Sequence, residues 1–135
     1  MSNSNEARWK QRLENFGRAL SQLSDACEQD QYTNLELAGL IKLFEFSFEL
    51  SWKVLKDLLY YEGQETNTPR AAIRKGFEAK YMDESDCETL LDALDKRNQL
   101  SHTYTQAGAN QAESLIKNQY HPVLARLYSN LSAKA

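Results

Sequence analysis

Apolar residues recur at three- and four-residue steps along most of the chain, the period of amphipathic helices. From about Asn5 to Glu28 the stripe is Trp9, Leu13, Phe16, Leu20, Leu23 and Cys27. Polar residues fill the gaps, so a first helix with one inward face is predicted. Thr33 with Glu36 three residues on has the form of a capping box and opens a second helix that stops near Gly63. That helix is unusual. Leu37, Ile41, Phe44, Phe48, Trp52, Leu55 and Leu59 make one apolar stripe, while Leu43, Phe46, Leu50, Val54 and Tyr61 make another on a different side. Between them run Lys42, Glu45, Glu49, Lys53 and Lys56, within roughly 80° at about 100° per residue. A surface helix needs one apolar face, so this one is expected to be central or shared with a second subunit.

Thr68-Pro69 reads as the cap and first residue of a short third helix, with Ile73 and Phe77 inward. Asp83 caps a fourth, whose apolar side is Cys87, Leu90, Leu91 and Leu94. Thr105 to Ala109 is expected to be a loop. Asn110 with Glu113 is a further capping pattern, opening a last helix that Pro122 is expected to kink or divide. The predicted fold is all-α, an antiparallel bundle of four to five helices, in one domain over residues 1–135.

Composition narrows this picture rather than changing it. A net charge of −3 leaves no footprint for general nucleic-acid binding, so any RNA would have to be held in a local cleft. Cys27 and Cys87 stand alone without metal-ligand spacing, which fits reduced thiols in the cytosol. The start of the chain has no apolar signal region, and no stretch of 18 uncharged residues offers a membrane span. A cytoplasmic protein without cofactor or membrane partner is expected.

The chemistry is concentrated in Arg97-Asn98-Gln99-Leu100-Ser101-His102-Thr103-Tyr104. A guanidinium, an imidazole and a phenol there suit phosphate chemistry: a permanent cation, an acid or base near neutral pH, and a modifiable hydroxyl. On an ideal wheel Arg97 shares the apolar side with Leu90, Leu94, Ser101 and Tyr104. It is therefore either buried against a carboxylate as a structural salt bridge or aimed into an interface cleft. His102 lies roughly 140° further round. Either the helix ends near Ser101 and turns His102 back, or two copies of the motif meet across a dimer axis. Taken alone, His102 is a helix-end histidine favoured by the C-terminal dipole. Glu45 and Glu49 read as a solvated stripe, with Glu49 and Lys53 an i,i+4 pair; the sharper reading makes one of them the partner that orients Arg97. Glu84, Glu88, Asp92 and Asp95 read as acidic surface rather than a metal site, and Phe44, Phe48 and Trp52 as core.

Arg97-x4-His102-x-Tyr104 resembles the signature of the HEPN superfamily, small helical proteins often encoded beside a minimal nucleotidyltransferase. The opening Arg8-Trp9-Lys10-Gln11-Arg12-Leu13-Glu14-Asn15-Phe16 resembles the branch of nucleotidyltransferase substrate-binding proteins. So do Phe44-Glu45-Phe46-Ser47-Phe48-Glu49-Leu50-Ser51-Trp52-Lys53, Leu55-Lys56-Asp57-Leu58, Pro69-Arg70 and Asp95-Lys96-Arg97-Asn98. The resemblance implies a homodimeric bundle whose two motifs face a shared cleft. It also implies a metal-independent ribonuclease toxin, neutralised by a partner nucleotidyltransferase that transfers AMP to Tyr104. On that footing His102 and Arg97 are the expected catalytic residues, with Asn98, Glu49 and Glu45 in support. The other readings are a non-catalytic subunit that binds the transferase and its nucleotide substrate, with Arg97 and His102 holding phosphate only, and a purely structural helical dimer.

Overall fold

The computed structural model describes residues 2–102 and 105–135. They form α1 (Ser2–Cys27), α2 (Asn34–Tyr61), α3 (Pro69–Glu78), α4 (Glu84–Ser101), α5 (Gln106–Leu115), a π-helical turn (Ile116–Tyr120) and α6 (His121–Lys134). Helices α5 and α6 run on through the π turn as one rod, so the bundle has five rods, and no strand occurs among the described residues.

Helices α1 and α2 are antiparallel, as the cross-links between their opposite ends show. Tyr61 near the end of α2 donates to Glu6 near the start of α1 at 2.8 Å, and Arg12 pairs with Asp57 at 2.9 Å. The predicted α1 stripe is inside: Trp9, Leu13, Phe16, Leu20 and Leu23 are all buried. The Thr33 and Glu36 side chains make the reciprocal bonds of a capping box at the start of α2. That helix occupies the centre, packing against α1, α3, α4, α5 and α6. Its first stripe is buried, with Trp52 half-buried. Of the second stripe Val54 is fully enclosed, Leu43 and Leu50 are partly covered, and Phe46 is 58% exposed. Centrality thus accounts for most of the second stripe, leaving an open apolar strip around Phe46.

Two expectations need correction. Phe77 is exposed rather than inward, because the inward line of α3 is Ala72, Ile73 and Gly76. A Cβ on Gly76 would lie 3.0 Å from Leu55 Cδ2, and this close approach to α2 rotates Phe77 out to the rim. Residues 106–109 are helix, not loop. The Thr105 hydroxyl accepts from the Gly108 N–H at 3.0 Å and starts α5 early, leaving Asn110 inside it as an acceptor for Gln106. Pro122 marks the expected break, which takes the form of a π turn between two α-helical stretches of the last rod. It falls in the first turn of α6, directly after a π turn, whose wider ring of backbone relaxes the ladder where proline lacks its donor. The π turn also carries Tyr120 into the core. Its ring stacks on Phe44 at 5.2 Å between centroids, and its hydroxyl donates to Asp92 on α4 at 2.6 Å.

Candidate functional site

Helix α4 is held at its start by the Asp83 carboxylate, which accepts from the Asp86 N–H at 2.8 Å. It ends at Ser101. His102 caps it at φ −111°, ψ 39°, outside the helical region, with its N–H reaching Gln99 O at 3.3 Å. The backbone leaves the helix at His102, so the wheel angle that separated it from Arg97 no longer applies.

Arg97 lies one turn earlier and is half-buried. Its Nη1 donates to Glu49 Oε2 on α2 at 3.0 Å, and its guanidinium carbon sits 5.9 Å from the centroid of the buried Phe48 ring. Glu49 also faces Lys53, with Nζ 4.0 Å from Oε1. Glu49 thus lies in a charged stripe and is a carboxylate that Arg97 bonds. A pair this exposed contributes only about 0–1 kcal/mol to folding. Its consequence is direction, since the guanidinium is fixed by a carboxylate at one end and a ring beneath it.

Between α2 and the end of α4 lies a groove of two chambers. The smaller, about 280 Å³, is lined by Phe46, Glu49 and Arg97 together with Lys42, Glu45 and Asn98. The larger, about 580 Å³, shares Lys42, Glu45 and Asn98 and adds His102 above a floor of Leu37, Ile41 and Leu100. Arg97 opens into one chamber, His102 into the other, and Asn98 stands between them. Five of the residues singled out from the sequence, Arg97, Asn98, His102, Glu45 and Glu49, thus share one groove. Tyr104, the expected modification site, lies outside the described residues.

Lys42, read from the sequence as part of a solvated stripe, lines both chambers. Asn34 and Gln106 at the larger chamber carried no sequence signal, because they meet only when the first turns of α2 and α5 come together. Of the acidic residues of α4, Asp92 is bound by Tyr120 and by Lys96 at 3.3 Å, and Asp95 by Arg70. Among the described residues no group of three or more His, Cys, Asp or Glu could hold a metal ion. Burial raises the Cys27 and Cys87 thiols above their ordinary range, so neither is an activated nucleophile. No helix among the described residues is long and apolar enough to cross a membrane.

The bundle wound around α2, with an arginine and a histidine in a groove at the end of α4, is that of a HEPN-related helical family, as the family match shows. The chain belongs to the family described as nucleotidyltransferase substrate binding protein like, whose model matches residues 11–133. Among solved structures it is similar to the crystal structure of ttk003001694 from Thermus thermophilus, at 26% identity and a TM-score of 0.74. The match covers 88% of this chain and 97% of that one. No curated protein matches the chain.

Proposed function

We propose that the chain is a HEPN-type ribonuclease that cleaves RNA without a metal, acts as a homodimer, and is silenced by a partner minimal nucleotidyltransferase. The observation that carries this reading is the guanidinium of Arg97, aimed by Glu49 into a groove that His102 also lines.

Metal-free cleavage needs a base for the ribose 2′-hydroxyl and a cation for the phosphate in flight. His102 takes the 2′-proton, a step typically worth about 10²–10⁴-fold, and the freed oxygen attacks the adjacent phosphorus. The bond to the 5′-oxygen breaks, that oxygen takes up a proton, and a 2′,3′-cyclic phosphate remains. Arg97 neutralises the charge that develops on the non-bridging oxygens. Asn98, between the chambers, donates to the phosphate or orients the imidazole.

Dimerisation completes the site. Phe46 belongs both to the Arg97 chamber and to an adjoining apolar groove bordered by Asn15, Arg18 and Leu50. A second copy seated on this strip roofs the Arg97 chamber and brings the two motifs together. Transfer of AMP to Tyr104 would put bulk and negative charge beside the phosphate site and exclude RNA.

The second reading, a binding subunit that holds nucleotide for the transferase without cutting RNA, is favoured by the description of the family itself. Expression of the chain alone, beside Arg97→Ala, His102→Ala and Tyr104→Phe forms, separates the two. Growth arrest and RNA fragmentation that vanish in the Arg97 and His102 variants support the ribonuclease. Intact RNA from a folded wild-type dimer supports the binding subunit.

A further inference from the structure

A separate cavity of about 410 Å³ lies at the start of α3 and shares no lining residue with either chamber of the groove. Three cations, Arg70, Arg74 and Lys75, line it against two carboxylates, Glu65 and Glu78, in a chain whose net charge is −3. Two of the cations are engaged: Arg70 donates to Asp95 on α4, and Lys75 lies 3.4 Å from Glu78. Arg74 is exposed and has no ion pair among the described residues. In the first turn of α3 the Thr68 hydroxyl accepts from the Ala71 N–H at 3.1 Å, and the Thr68 carbonyl from the Ala72 N–H at 3.0 Å. Pro69 has no N–H, so the Arg70 N–H is the open donor of that turn. The decisive residue is Thr66. It is 5% exposed, it lines the cavity, and its buried Oγ1 has no hydrogen-bond partner among the described residues. A hydroxyl enclosed in this way forfeits the bonds it would make to water unless an occupant of the cavity accepts from it.

We propose that this cavity is an oxyanion site for a single phosphate group, free or carried by a small phosphomonoester, with Thr66 and the Arg70 N–H donating to its oxygens and Arg74 neutralising it. The start of a helix favours an anion, and an unpaired guanidinium offers two parallel donors. The donors come from the connection before α3 and from its first two turns, and include a hydroxyl, an amide and a guanidinium. Donors arriving from several directions suit the tetrahedral oxygens of phosphate better than a planar carboxylate. The cavity is larger than a bare ion needs, which leaves room for the remainder of a monoester. Glu65 and Glu78 in the lining disfavour a polyphosphate. Neither Arg97 nor His102 takes part, so the inference is independent of the ribonuclease reading.

The test is calorimetry of the full chain, at constant ionic strength and two temperatures, with inorganic phosphate and with glycerol 3-phosphate. Arg74→Ala removes an exposed side chain and should weaken binding of both probes by about tenfold, the loss of charge-assisted bonds. Thr66→Val keeps the shape of the side chain and deletes the orphan hydroxyl. It should weaken binding about fivefold while Tm stays equal or rises, because no bond within the chain is broken. The Arg74-dependent binding should persist in Arg97→Ala. Equal affinity for the two probes identifies the phosphate group alone as the ligand, and tighter binding of glycerol 3-phosphate identifies a monoester. A lower Tm in Thr66→Val, with phosphate binding unchanged, assigns the hydroxyl to the fold and overturns the site. Binding lost in Arg97→Ala but kept in Arg74→Ala puts the phosphate in the motif groove and overturns it equally. Failure to bind either probe at millimolar concentration, with the fold intact by circular dichroism, overturns it outright.

Discussion

The Arg97 guanidinium of α4 donates to the Glu49 carboxylate of α2 across 3.0 Å, with the Phe48 ring beneath it at 5.9 Å. The pair links the two helices that frame the groove. About a third of each side chain is open to water, 30% for Arg97 and 39% for Glu49, so solvent screens most of their attraction. Glu49→Gln is expected to move Tm by no more than a few degrees. RNA cleavage should fall by about tenfold or more, because the guanidinium loses its direction. A large loss of stability with cleavage intact would make the pair a structural strut.

The exposed strip on α2 gives a prediction of assembly. Phe46 is 58% exposed in the single chain, so Phe46→Lys leaves the fold and Tm of the monomer unchanged. Sedimentation should show the dimer replaced by monomer, and cleavage should be lost with it. A dimer that persists with lysine at this position would place the interface elsewhere.

Tyr120 tests the core rather than the groove. Its hydroxyl donates to Asp92 at 2.6 Å, and burial together with this bond raises the phenol well above its ordinary range. Tyr120→Phe removes one bond from a buried side chain and is expected to destabilise by about 1–2 kcal/mol. Urea unfolding should report this as a lower midpoint at unchanged m.

His121 supplies a pH dependence. Its Nε2 lies 2.7 Å from Ser24 Oγ, and burial holds its pKa below the ordinary 6.5. The unfolded chain therefore binds a proton at this residue that the folded chain resists. Stability falls as pH drops below 6.5 and the loss levels off beneath the folded pKa. Between about pH 7.5 and about pH 5.5 the wild type should lose more Tm than His121→Gln, which keeps a partner for Ser24. Equal losses in the two proteins would assign the acid sensitivity to other groups.

The start of α5 separates two capping threads. Thr105→Ala removes the acceptor for the Gly108 N–H and should destabilise by about 1 kcal/mol. Asn110→Ala, now within the helix and exposed, should fall within about 0.5 kcal/mol of wild type. The opposite order would restore the later helix start suggested by the Asn110–Glu113 pattern.

The first four helices, the caps at Thr33, Thr68 and Asp83 and the excess of apolar surface on α2 were determined by the sequence alone. Each rests on local rules: a 3.6-residue period, a hydroxyl or carboxylate three residues before an N–H, and more apolar surface than one face can hold. The motif from Arg97 to His102 was likewise legible, because its residues are neighbours in the chain. The route of the last rod was not. Thr105 lies in the stretch expected to be loop, yet its hydroxyl, and not the Asn110 side chain, accepts the first-turn N–H. Nor could the sequence say which glutamate meets Arg97, that Gly76 turns Phe77 outward, or that Lys42 borders His102. Those facts depend on how far one helix is rotated and slid against another. That rotation and offset come from side chains scattered along the whole chain, and only the assembled bundle fixes them.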